Sequence, residues 1–226
     1  MINGQTYAAP GIARTIMYQF LALTLYEPTA NLFTALAQHD SSQQLLAASR
    51  QFLGAEGEEL TKDILNAVLG SGDNREEVLL DLRVEYNRLF VGPTPPVCPP
   101  YESFFDKQRP LEGQKNLMGP TSAAMEAALG SEGLEMTLDY AELPDHAAIE
   151  LEFMYYLLSR AGAGGEDAEV YLQKAKAFLI EHLSVWLPEF GTKLAGESHQ
   201  PFYRGIGLLL AALTRADLES AKREAH

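Results

Sequence analysis

Cysteine is nearly absent from this chain: Cys98 is the only one among 226 residues, so no intramolecular disulfide can brace the fold. That usage fits a reducing compartment. Long apolar runs are missing too, since stretches such as Ile206 to Leu213 fall far short of the roughly 20 residues that span a bilayer. The opening MINGQTYAAPGIAR lacks a basic start followed by an apolar core, so it does not read as an export signal. The expectation is a cytoplasmic protein without stable membrane insertion. Basic residues are scarce: 17 Lys and Arg stand against 31 Asp and Glu, a formal charge of -14. Such a field repels phosphates, which argues against nucleic acid and calls for a neutral or basic partner.

The motifs of several chemistries are also lacking. There is no HExxH or CxxC, and no histidine follows a glutamate by three residues, as facing helices of a di-iron bundle require. No GxSxG occurs, and Cys98 lies among prolines with no base beside it in sequence. A GxxxxGK[ST] loop is missing, and the turn Gly162-Ala163-Gly164-Gly165 follows a helical stretch without a neighbouring lysine for phosphate. These absences predict a non-enzyme with no metal or cofactor of its own. A small helical metalloprotein or enzyme is the rival of another class, which bound metal or turnover would reveal; a nucleotide-binding regulator is a third.

What is present is helical periodicity in a chain of ordinary globular composition, 46% apolar and 21% charged. Pro10 suits a first helical turn, and Ile12, Ile16, Phe20 and Leu23 recur until Glu27-Pro28 ends the segment, predicting a helix over 10–27. Thr29 can cap a short helix, Ser41 or Ser42 another that stops at Gly54, and Leu60 to Val68 a fourth closed by Gly70. Asp73 or Asn74, with Glu76 or Glu77 three residues on, opens a fifth whose inward stripe is Leu79, Leu82, Tyr86 and Leu89. Later helices are expected over about 121–129, 145–161, 166–186, ending or kinking at Pro188, and 201–223. The 145–161 segment is apolar nearly all round, leaving mainly Glu150 and Glu152 as charges, and is predicted to be buried. No alternating strand pattern competes, so the fold class is all-α, a bundle of about 9 to 11 helices.

One stretch divides the chain. Glu85 to Phe105, EYNRLFVGPTPPVCPPYESFF, runs from helix into five prolines within eight residues, Pro93, Pro95, Pro96, Pro99 and Pro100, which cannot continue a helix. The division is therefore 1–91 as an N-terminal helical half, 92–120 as a proline-rich connecting loop and 121–226 as a C-terminal half, the two halves forming one compact domain. Leu89, Phe90, Val97, Tyr101, Phe104 and Phe105 make the loop apolar, so it needs a surface to lie against. Downstream, Pro144 fixes the approach to Asp145-His146. Asp145 is expected to cap the first turn of the following helix, with His146 projecting beside Glu150 four residues later. Such a cluster either starts the helix and nothing more, or receives a polar ligand such as a guanidinium.

Tyr86-Asn87-Arg88-Leu89-Phe90, then Gly92-Pro93, then Pro99-Pro100-Tyr101-Glu102-Ser103 resembles a signature of the TorD/DmsD/NarJ family of cytoplasmic chaperones for molybdenum-containing reductases, closest to its TorD/DmsD type. Leu143-Pro144-Asp145-His146 followed by Glu150-Leu151-Glu152-Phe153-Met154 is similar to the family's second signature. A weaker likeness lies in His182-Leu183, Trp186, Pro188, Phe190 and Phe202-Tyr203. The resemblance implies a chaperone that binds the twin-arginine leader, the apo form, or both, of a molybdopterin-dependent reductase until cofactor insertion and export. It implies peptide-binding roles for Leu89, Phe90, Pro100, Tyr101, Ser103, Asp145, His146 and Glu150, where Tyr101 replaces the tryptophan frequent in the family. Contact with GTP or the molybdopterin cofactor, and a monomer with a minor domain-swapped dimer, are implied by the resemblance alone. An assembly factor of the NarJ kind, serving a membrane-bound nitrate reductase, is the alternative within the family.

Overall fold

Tyr86 and Leu89 lead the stripe foreseen on the fifth helix straight into the core, at 6% and 0% exposure. Around them the computed structural model describes residues 10–70, 74–92, 96–105, 119–136 and 142–223. Among these the regular structure is helical: α1 (Pro10–Thr24), α2 (Ala30–Ala37), α3 (His39–Leu69), α4 (Arg75–Tyr86), α5 (Glu102–Phe105), α6 (Pro120–Ser131), α7 (Ala147–Gly162), α8 (Ala168–Phe178), α9 (Ser184–Glu197) and α10 (Pro201–Arg223). None of them is long and apolar enough to cross a membrane.

Several local expectations hold for the reasons given. Thr29 caps α2 by accepting from the Leu32 N–H at 3.2 Å, with Phe33 and Leu36 buried. Pro120 occupies the first turn of α6. Others need correction. The two helices expected on either side of Gly54 are one, α3, bent where Gly54 takes φ 72°, and Gln38 rather than a serine stands at its N-cap. A single residue with positive φ deflects the axis without ending the hydrogen-bonded path. Pro188 likewise does not end a helix. It lies inside α9, just after a wide π-helical turn, Leu179–Leu183, which already breaks the regular ladder that proline would interrupt. A second π turn, Asn87–Val91, extends α4. Asp73, Pro93, Pro95, the polar stretch 106–118 and Tyr140 lie outside the described residues.

Packing interleaves the two sides of the proline loop. From before it, α1 lies on α7 and α3 on α10; from after it, α10 lies on α9 and α7 on α8. The α9–α10 crossing is close because both helices present glycine: a Cβ on Gly191 would lie 2.5 Å from the Gly207 carbonyl oxygen, and one on Gly207 would strike the Gly191 carbonyl. Trp186, Phe190, Phe202 and Tyr203 fill the core beside that crossing.

Candidate peptide-binding site

The proline loop meets the start of α7 backbone to backbone. Pro100 cannot donate, but its carbonyl accepts from the Ala147 N–H at 2.8 Å, and the Glu102 N–H donates to the Asp145 carbonyl at 3.0 Å. These two bonds form an antiparallel bridge that sets Tyr101 opposite His146. The Tyr101 ring then meets the His146 ring edge-on at 5.2 Å, and its hydroxyl donates to Glu142 Oε2 at 2.5 Å. At the loop's other end the Cys98 N–H bonds the Leu89 carbonyl at 2.7 Å, tying it to the π turn Asn87–Val91.

That bridge changes the capping arrangement expected at Asp145. Pairing with the loop holds His146 extended (φ -75°, ψ 137°), so α7 starts at Ala147 and His146 itself is the N-cap, its Nδ1 accepting from the Ala148 N–H at 3.1 Å. The imidazole turns back onto its own helix instead of projecting beside Glu150. An accepting Nδ1 must be unprotonated. Burial agrees, lowering the His146 pKa to about 4 against the opposing pull of Glu142 and Asp145. Asp145, fully buried, serves a different helix: its Oδ2 accepts from the Ser103 N–H of α5 at 3.1 Å.

Below this layer lies Glu150, with no exposed surface. The indole N–H of Trp186 donates to its Oε2 at 2.9 Å. Burial, the adjacent Glu102 carboxylate and Asp145 push the Glu150 pKa well above the usual range, despite the Trp186 bond, so the side chain holds a proton and can donate toward Glu102. Glu102 in turn meets His182 Nδ1 at 2.9 Å, and His182 stacks on Phe178 at 4.9 Å. Asp145 Oδ1 and Ser103 Oγ, both buried, have no hydrogen-bond partner, and Glu150 Oε1 receives no donor. Buried polar atoms are ordinarily paired, so their concentration under one loop marks this place out.

The structure thus gathers Tyr101, Ser103, Asp145, His146 and Glu150, with Pro100 buried alongside. Leu89 and Phe90 stand behind them as core. Leu89 is fully buried, and the Phe90 ring packs against Tyr86 at 5.1 Å and Tyr203 at 5.6 Å. Five residues not singled out from sequence complete the site: Tyr26, Glu102, Glu142, His182 and Trp186. Tyr26 stacks on His146 at 6.2 Å. Glu102 sits inside a quoted signature and His182 and Trp186 are spaced four apart in another, so a signal existed for three; Tyr26 and Glu142 carried none. No cluster of metal-binding side chains occurs among the described residues.

The chain is 26% identical over 203 residues to the Vibrio cholerae "Chaperone protein TorD", covering 86% of this chain and 90% of that one. A Vibrio atlanticus protein of the same name is 29% identical over 179 residues, 75% of this chain and 80% of its own. The "Selenate reductase assembly chaperone protein" of Thauera selenatis is 38% identical over 85 residues, 36% of this chain and 43% of its own. The nitrate reductase delta subunit family profile matches residues 53–192, a span that contains both signatures and the whole cluster from Tyr101 to Trp186. This chain belongs to the nitrate reductase delta subunit family, the family of reductase maturation chaperones that its signatures resemble.

Proposed function

We propose that this protein is a maturation chaperone for a molybdopterin-dependent reductase, binding the apo enzyme through its twin-arginine leader and holding it until the cofactor is inserted. No bond is made or broken by the chaperone; occupancy hides the leader from export and proteolysis. The relatives' names support the chaperone role. The leader reading is carried by one observation: Asp145 Oδ1 and Ser103 Oγ are unused acceptors in a buried cluster rich in carboxyls. A guanidinium is planar, carries five donors and suits such a set of acceptors. Asp145 is fully buried and bonded to the Ser103 N–H of residues 97–105, so arginine reaches its Oδ1 when that strap lifts at the Tyr101–His146 bridge.

Titration calorimetry with a twin-arginine leader peptide and its Lys-Lys counterpart tests this. The arginine peptide should bind more tightly, because an ammonium cannot make the planar fork. Equal affinity for both, or no binding across a panel of reductase leaders, would remove the leader reading. A second reading, an assembly factor for a reductase without an export leader, is favoured by the family profile itself and would then stand.

A further inference from the structure

Beside the buried cluster lies an open groove in which Glu152 and Phe153 are the only lining residues drawn from the signatures. It has a volume of about 290 Å³ and runs between the end of α1, the end of α6 with the segment after it, and the outer side of α7. Its walls are mostly apolar and aromatic, with Leu134, Met136, Phe153 and Tyr156 prominent. Two carboxylates, Glu135 and Glu152, belong to the lining, and no basic residue does. Glu152 accepts the Tyr26 hydroxyl bond at 2.9 Å, and Glu135 has no ion pair among the described residues. Tyr26 also stacks on His146, so the groove is continuous with the Tyr101–His146 bridge.

We infer that this groove takes the apolar stretch of a basic client segment, and that Tyr26 is the divide between it and the arginine-receiving cluster. The inference rests on the proposed binding of a leader. An apolar lining without cations, on a chain of charge -14, selects an apolar segment flanked by positive charge over an acidic or purely polar one. The leucine or phenylalanine side chains of such a segment would bury against Leu134, Met136 and Tyr156, while a flanking cation meets Glu135 at the mouth. The cluster at Asp145 then takes the arginines, and the groove supplies most of the apolar contact area.

The test uses the full chain and two peptides, a leader with an Arg-Arg pair and a leucine-rich stretch, and the same leader with the leucines replaced by serine. Calorimetry is run on the wild type, on L134S/M136S, on Glu135→Lys and on a control far from the groove, Val185→Ser, with melting temperatures to confirm folding. The groove variants should lose about tenfold or more in affinity for the leucine peptide, a loss the control does not share. For the serine peptide, wild type and L134S/M136S should bind alike. Should the wild type bind neither peptide, the leader reading fails and takes this inference with it. Should the wild type bind both equally, or L134S/M136S bind the leucine peptide like wild type while Asp145→Asn loses it, the leader reading survives and the groove is overturned.

Discussion

Glu85 and Glu150 are both buried glutamates on helices, 5% and 0% exposed, and they are treated oppositely. Glu85 receives a fork from Arg88 at 2.7 and 2.8 Å, the His199 N–H at 2.6 Å and the Ser198 hydroxyl at 3.4 Å. Burial alone would raise its pKa, but Arg88 and the His199 N–H outweigh burial and hold it below the usual range. Glu150 receives one indole N–H and faces other carboxyls, so it keeps its proton. The first is a fastener joining the end of α4 to the α9–α10 turn, with its lone pairs occupied. The second lies where donors are short, and a donor from outside has something to do there. A family signature passing through both, Arg88 in one and Tyr101 to Ser103 in the other, therefore joins a fully hydrogen-bonded fastener to an under-bonded cluster.

The largest expected effect breaks the fastener. Arg88→Ala leaves Glu85 charged and buried, and should cost about 3 kcal/mol in urea unfolding, at the low end for a broken buried pair because Arg88 itself reaches solvent. Next, Glu150→Ala at neutral pH orphans the Trp186 N–H and should cost about 2 kcal/mol. Glu150→Gln should cost far less, since an amide can accept from Trp186 and donate toward Glu102 as the protonated acid does. If Glu150→Gln were as damaging as Arg88→Ala, the two glutamates would not differ as described.

A smaller effect appears in pH dependence. His146 has an ordinary pKa of 6.5, lowered by burial to about 4 in the fold, and Glu150 an ordinary value of 4.5, raised in the fold. As pH falls below 6.5 the unfolded chain gains a His146 proton that the folded chain refuses, so stability falls. As pH rises above 4.5 the unfolded chain loses a Glu150 proton that the folded chain keeps, so stability again falls. Between the two ordinary values the pair binds one proton in either state, and its contributions cancel. Glu150→Gln removes one side of that balance, so relative to wild type its stability should climb with pH over that window, by up to about 1.4 kcal/mol per pH unit. Parallel stability curves for the two proteins would show that Glu150 is not protonated in the fold. The smallest effect is on Asp145→Asn, which can still accept from the Ser103 N–H and should lose less than about 1 kcal/mol of stability while weakening leader binding.

Much of this fold was legible because helix signals are local. Thr29, Pro120, the stripe through Leu82 and Tyr86, and the apolar α7 each declare themselves within a turn or two. What was not legible depends on distant partners. Gly54 reads as a stop but is a bend, since only packing of the next turn decides between them. Pro188 reads as an end or a kink, and it stands inside α9 after a π turn that no composition announces. The capping exchange at Asp145 and His146 follows from a bridge to Pro100 and Glu102 more than forty residues earlier, invisible to any pattern confined to α7. Tyr26 lies farther still, at the end of the first helical unit, and reaches the site only because α1 packs on α7.

The most direct measurement is hydrogen–deuterium exchange of the full chain with and without a saturating twin-arginine leader. Binding at the under-bonded cluster and its groove predicts altered exchange in residues 97–105, 129–136 and 147–156, with the Arg88 turn and residues 198–204 unchanged. Changes confined to the Glu85–His199 fastener, with the Tyr101–His146 bridge exchanging as before, would contradict it.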